Sequence, residues 1–158
     1  MKYRSLSNEE LAELEIEFKQ FLISNNVYTE EWEELNKKKA KKVQELVEMF
    51  SDIVLEKALK NIKYLEHVTP NDIKSFKCDA TEMVLIGIAS KNKNVDFTKD
   101  TLADFADDLD IFKTSKPYHK ERELEVFELL QSGCSLIDEE RFSKIELAHS
   151  YSTKQIKN

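Results

Sequence analysis

Between Ala40 and Val68 apolar residues recur at the three- and four-residue spacing of a helix, first as Val43, Leu46, Val47, Phe50, Ile53 and Val54. From Val54 onward the set becomes Leu55, Ala58, Leu59, Ile62 and Leu65, whose centre lies about a quarter-turn round at roughly 100° per residue. The pattern predicts a long central helix whose buried face turns near Ser51 and Asp52. Such a helix is either covered on two sides by different layers or broken at the turn. Asp52, Glu56 and Lys63 are left on the solvent side, and Glu56 precedes Lys60 in the favourable order of a four-apart ion pair. Thr69-Pro70 ends the helix, because the proline ring disfavours helical geometry at the residue before it.

Upstream, Ser7-Asn8-Glu9-Glu10 has the S-x-x-E form of a capping box and predicts a helix start. Leu11, Leu14, Phe18, Phe21 and Leu22 supply one apolar stripe, and Asn25-Asn26 suits its end. Thr29 with Glu30 and Glu31 is a second start signal, since carboxylates suit the positive end of a helix dipole, and Trp32 and Leu35 lead toward the central helix.

After Pro70 the period changes. Ile73 to Cys78 and Met83 to Ser90 are short, with Asp79-Ala80-Thr81 between them, and read as a hairpin. Val84 to Ala89 has no polar alternation, which predicts an inner strand buried on both faces, and Gly87 within it marks a bulge or close backbone packing. Asp110 to Ser115 is a candidate third strand. Leu102, Phe105, Ala106 and Leu109 have helical spacing within Thr101 to Leu109. Ser115 and Pro117 are read as opening a helix with Leu124, Phe127 and Leu130 on its stripe and Gly133 at its left-handed C-terminal position. Asp138 can cap a last short helix carrying Phe142 and Ile145, and residues 150–158 form a polar tail expected to fray.

Composition narrows the function classes. At 158 residues the chain reads as a single globular domain over 1–149, able to bury roughly 70% of its unfolded surface. Apolar residues make up 41% and charged residues 35%, and the net charge of −7 repels phosphate backbones and anionic membranes. Two glycines and two prolines are far below the average usage of about 7% and 5%. A Walker loop, a dinucleotide-binding GxGxxG, a GxSxG elbow and an EF-hand all need glycines at offsets that do not exist here. Cys78 and Cys134 are far apart, form no CxxC, and read as free thiols. The longest apolar run, Met83 to Ala89, is too short to span a bilayer, and no charged-then-apolar leader precedes the first helix. These features predict a cytoplasmic, reduced protein.

Candidate chemistry is sparse. Lys37, Lys38, Lys39, Lys41 and Lys42 could track phosphates, but Glu33 and Glu34 precede Lys37 and Lys38 by four residues, as on a salt-bridged helix surface. Asp104, Asp107 and Asp108 are spread over a helix surface rather than converging on a cation. Glu146 and His149 are one Glu-x-x-His where a di-iron bundle needs two, with further glutamates opposite. No metal site and no cofactor is expected. An enzyme could still assemble its site from unsigned residues, and the candidates are Asp52, Glu56, Tyr64, His67 and Glu121.

The opening MKYRSLSNEELAELEIEFKQFL, the block FSDIVLEKALKNIKYLEH, the IK-x-F-x-C and LIGIA strands and the late RELEVFELLQSGCSL together resemble an uncharacterised bacterial family known only as a domain of unknown function. The resemblance covers nearly the whole chain and implies bacterial origin and single-domain architecture, with no assigned activity. The expected fold is α+β: predominantly helical, with the long central helix packed against other helices and a small two- or three-stranded antiparallel sheet. The expected role is a protein–protein interaction or regulatory module whose partner is another cytosolic protein or a second copy, not nucleic acid or a membrane. The alternative is a small enzyme using carboxylates and histidine.

Overall fold

The computed structural model describes residues 1–100 and 108–156. The chain divides into two compact units, Met1–Leu59 and Lys60–Asn158.

In the first unit the Ser7 hydroxyl accepts the Glu10 N–H (3.1 Å) while the Glu10 carboxylate accepts the Ser7 N–H (2.9 Å), so two orphan donors are satisfied as α1 (Asn8–Glu13) begins. Arg4 grips both oxygens of that carboxylate, at 2.8 and 3.0 Å, and with the Ser7 N–H holds its pKa down to about 2. The stripe expected as one helix breaks at Leu14, whose ψ of 26° leaves the helical range, and α2 (Glu15–Ser24) follows. Asn26 takes a left-handed φ of 61°, and the Val27 N–H returns to the Leu22 carbonyl at 2.8 Å to close α2. Next come α3 (Thr29–Lys38) and, beyond Lys39, α4 (Ala40–Lys60). Phe18 and Phe21 of α2 lie 4.9 and 5.4 Å from Phe50 of α4, and Trp32 of α3 meets Phe18 edge-on at 5.3 Å.

The turn in the apolar face of α4 is covered rather than broken. The helix is continuous through Ser51, and the opening segment of the chain lies along it there. Ser51 is fully buried, donating to the Val47 carbonyl (2.6 Å) and accepting the Leu6 N–H (2.9 Å). Asp52 accepts the backbone N–H groups of Lys2 (2.8 Å) and Tyr3 (3.1 Å). Glu56 takes the Tyr3 hydroxyl and the Lys2 ammonium, the latter at 3.3 Å. Tyr3 and Leu6 are buried as a result, whereas Ile53, counted in the apolar stripe, is 56% exposed.

The predicted central helix is too long by one element. It ends at Lys60, and Tyr64–Val68 form a strand, β1, instead of a final helical turn. Ile62 and Leu65 continue the helical spacing, and nothing in the local pattern marks a strand. Pairing with β2 (Asp72–Cys78) decides for the strand, with Leu65 opposite Phe76 and Glu66 opposite Ser75. The hairpin of β2 with β3 (Glu82–Ser90) is present as expected, and the third strand is β4 (Leu109–Pro117). Ser115 and Pro117 therefore end a strand, and the helix placed after them begins later, as α5 (Arg122–Gln131). Gly133, with φ of 105°, follows α5 as predicted. A two-residue β5 (Ser135–Leu136) pairs with Leu65 and Glu66. Asp138 accepts the Arg141 N–H (2.8 Å) at the start of α6 (Glu139–Ile156).

The sheet is thus five-stranded and antiparallel, in the order β4-β3-β2-β1-β5, where two or three strands were expected. The two missed strands were hidden in the presumed end of the central helix and in a pair of residues too short to carry a pattern. Register puts Ile73, Ile86 and Ile88 on one face, where they form a core with Phe142 and Ile145 of α6. The opposite face carries Leu65, Cys78 and Met83, buried along with Val126 of α5. Polar groups in the first core are matched: Glu66 accepts from the fully buried Ser75 (3.1 Å) and from Arg141 through Nε (3.1 Å) and a terminal guanidinium nitrogen (3.3 Å). The helix proposed over Thr101 to Leu109, with Asp104 and Asp107, lies outside the described residues up to position 107; Leu109 belongs to β4.

Candidate functional site

Two concavities hold the chemistry to be weighed. In the first unit a cleft of about 300 Å³ opens between α2 and α3. Spacing within α2 explains it: Glu15, Phe18, Lys19, Leu22 and Ile23 share one helix face and meet Val27 and Trp32 across the gap. The aromatic floor is braced, since Phe18 meets Trp32 edge-on and Phe50 at a tilt. Three large apolar side chains remain outside the core on α2 and at the residue preceding α3: Ile16 is 70%, Ile23 52% and Tyr28 53% exposed. Glu15 and Lys19 pair with each other at 3.0 Å on the lining. The cleft therefore offers apolar contact area edged by charge and no concentrated set of ionisable groups.

The larger concavity, about 760 Å³, lies in the second unit where the β2–β3 turn meets the start of α5. Arg122 organises it, donating to the carbonyls of Ile62, Cys78 (3.0 Å) and Asp79 (3.3 Å), and Tyr118 donates to the Asp79 carbonyl at 2.7 Å. Lys60, Lys63 and Lys77 line it with Glu121 and Glu123, so charges of both signs are interspersed. The Cys78 thiol within it is pushed up to about 11 by burial, which keeps it protonated and a poor nucleophile near neutrality. Burial likewise raises the Tyr118 hydroxyl to about 12.

The residues singled out from the sequence fall in different places. Asp52 and Glu56 are together in the first unit, one helical turn apart, bound to Lys2 and Tyr3. In that pairing the Tyr3 hydroxyl is raised to about 12, by burial first and then by its bond to Glu56. Tyr64 and Glu121 line the larger concavity of the second unit. His67 does not: register places it on the opposite sheet face from Tyr64 and Glu66, beside Gly133, where an added Cβ would come 3.6 Å from its Nε2. Among the described residues no group of three or more His, Cys, Asp or Glu side chains is placed to hold a metal ion. Glu146 is paired with Lys113 at 3.4 Å, and no described helix is long and apolar enough to cross a membrane.

Arg122 was missed by sequence reasoning, because its three carbonyl partners come from 43 to 60 positions away and leave no local signal. The cleft was half visible. Phe18 and Leu22 were on the predicted stripe, but only the turn at Asn26 brings Trp32 against them.

A four-helix unit followed by a five-stranded antiparallel sheet carrying helices on both faces defines a mixed α+β protein. The profile of the family of unknown function DUF6495 matches residues 1–150, and the chain belongs to that family. No curated protein and no solved structure matches the chain.

Proposed function

We propose that the protein is an interaction module that binds another protein through the α2–α3 cleft and performs no chemistry of its own. The cleft carries the reading: an aromatic floor held by Phe50, exposed apolar residues at its edge and charge around it are what a docking surface needs. The enzyme alternative draws less support. Of its five candidates only Tyr64 and Glu121 share a concavity, the histidine lies elsewhere, and the thiol present is held protonated. Nucleic acid and anionic membranes are disfavoured as partners by the net charge of −7 and by Glu34, which holds Lys38 of the lysine run at 3.4 Å.

The test is affinity purification of the tagged full-length chain from its native cells, with identification of co-eluting protein and metal analysis of the same sample. A protein partner that co-elutes with the native chain and is lost from an Ile23→Ser variant is expected. Stoichiometric metal, nucleic acid retained at moderate salt, or no protein partner would each overturn the reading.

A further inference from the structure

The charge of this chain is not spread evenly. Residues 8–35, which span α1, α2 and most of α3, hold nine glutamates and one lysine, a net of −8, while the whole chain carries −7. The remainder is close to neutral. The acidic excess therefore sits on the same helices whose apolar residues build the cleft. Glu9, Glu13, Glu17, Glu30 and Glu33 are all exposed, and the single lysine of the stretch, Lys19, is taken by Glu15.

From this we infer the partner class: the α2–α3 cleft binds a cationic amphipathic helix of another protein, with one or two bulky apolar side chains in the cleft and lysines or arginines toward the exposed glutamates that the helices of the cleft carry outside its lining. The inference rests on the interaction-module reading and adds to it the chemistry of what is bound. Volume and charge each contribute. About 300 Å³ is at the lower limit of a small-molecule pocket and suits side-chain anchors projected from a helix at three- and four-residue spacing. With Lys37 and Lys38 at the end of α3 counted, residues 8–38 still carry a net of −6, which attracts cations and repels an acidic segment of the same shape and makes the choice of partner a matter of sign. Exposed Ile16 and Ile23 lie seven residues apart on α2 and extend the apolar strip along the helix, giving it the length of about two turns.

The protein carries its own reporter, because Trp32 is the only tryptophan and lines the cleft. The experiment titrates the full-length chain with three synthetic 18-residue peptides and follows Trp32 emission. One has leucines on one helical face and lysines on the other, the second replaces lysine by glutamate, and the third scrambles the lysine peptide so that it has no apolar face. The lysine peptide is expected to shift the emission and bind at least about tenfold more tightly than either control, weakening as salt is raised from 50 to 500 mM. Ile23→Ser, at a half-exposed site that leaves the fold intact, should weaken it about tenfold. The triple variant Glu15→Gln, Glu30→Gln, Glu33→Gln should weaken it and flatten the salt dependence. Equal binding of the glutamate or scrambled peptide, no binding of any peptide, or indifference to both variants would overturn the assignment. A cellular protein that is lost from the Ile23→Ser chain but is not displaced by the lysine peptide would also overturn it while leaving the module reading in place, whereas a partner indifferent to Ile23→Ser, or absence of any partner, removes the module reading itself.

Discussion

The Glu66–Ser75–Arg141 cluster permits a quantitative test of how the second unit holds a charge in its core. The Glu66 side chain keeps 9% of its exposure and the Arg141 side chain 38%, so the pair is buried at one end and wet at the other. Breaking a fully buried pair by removing one partner costs about 3 to 5 kcal/mol, because the remaining charge is stranded. With Arg141 partly in water, Arg141→Met should cost less, about 2 to 3 kcal/mol, since solvent at the open end replaces part of what the guanidinium supplied. Replacing both residues, as Glu66→Leu with Arg141→Met, removes the stranded charge and leaves only the Ser75 hydroxyl seeking a new acceptor, about 1 to 2 kcal/mol. The double variant should therefore be more stable than the Arg141 single variant, with a coupling energy of at least about 1 kcal/mol. Urea unfolding followed by circular dichroism measures the cycle, with peptide-resolved hydrogen exchange over residues 64–90 as the local readout. Additive losses, or an Arg141→Met chain within about 0.5 kcal/mol of the parent, would show that water rather than Arg141 neutralises Glu66.

Three further outcomes follow from single contacts. Ser51→Ala leaves the buried Leu6 N–H without its acceptor and should cost about 1 to 3 kcal/mol, with hydrogen exchange accelerated in residues 2–6; an unchanged exchange pattern would mean the opening segment is held by Asp52 and Glu56 alone. At Gly87 an added methyl would overlap the ring of Phe112, its cross-strand partner, so Gly87→Ala should destabilise the protein, and Phe112→Ala in the same chain should recover part of the loss; additivity in thermal melts would refute that close approach. The Cys78 thiol, raised from 9.0 to about 11, should hold about a hundredfold less thiolate at pH 8 than an unperturbed cysteine. As a raised acid it makes the folded state lose stability as pH climbs from about 9 to about 11, and labelling in native buffer as fast as in denaturant would contradict its burial.

What the chain determines locally could be read without the structure. The Ser7–Glu10 capping box, the close of α2 at Asn26, the β2–β3 hairpin, Gly133 after α5 and Asp138 at the start of α6 each depend on residues within about five positions of one another. The concentration of glutamate in residues 8–35 was likewise present in the sequence, although its meaning needed the cleft. Other features depended on distant partners. Tyr64–Val68 keeps Leu65 and Val68 at helical spacing and shows no apolar–polar alternation, and the strand was decided by β2 on one side and β5 on the other, neither of which a window around Leu65 contains. Ser51 and Asp52 were read as the place where the buried face turns, with Asp52 left to solvent, but Ser51 is buried and Asp52 engaged by residues 45 to 50 positions earlier. The same holds for Glu66, which finds Arg141 75 positions away, and for Arg122, whose carbonyl partners lie at the end of β2, in the turn after it and in the linker before β1. Periodicity reports how a segment would satisfy itself. A polar side chain in a core, a strand's register and the lining of a cleft are decided by which distant groups arrive to satisfy it, and that information exists only once the chain has folded.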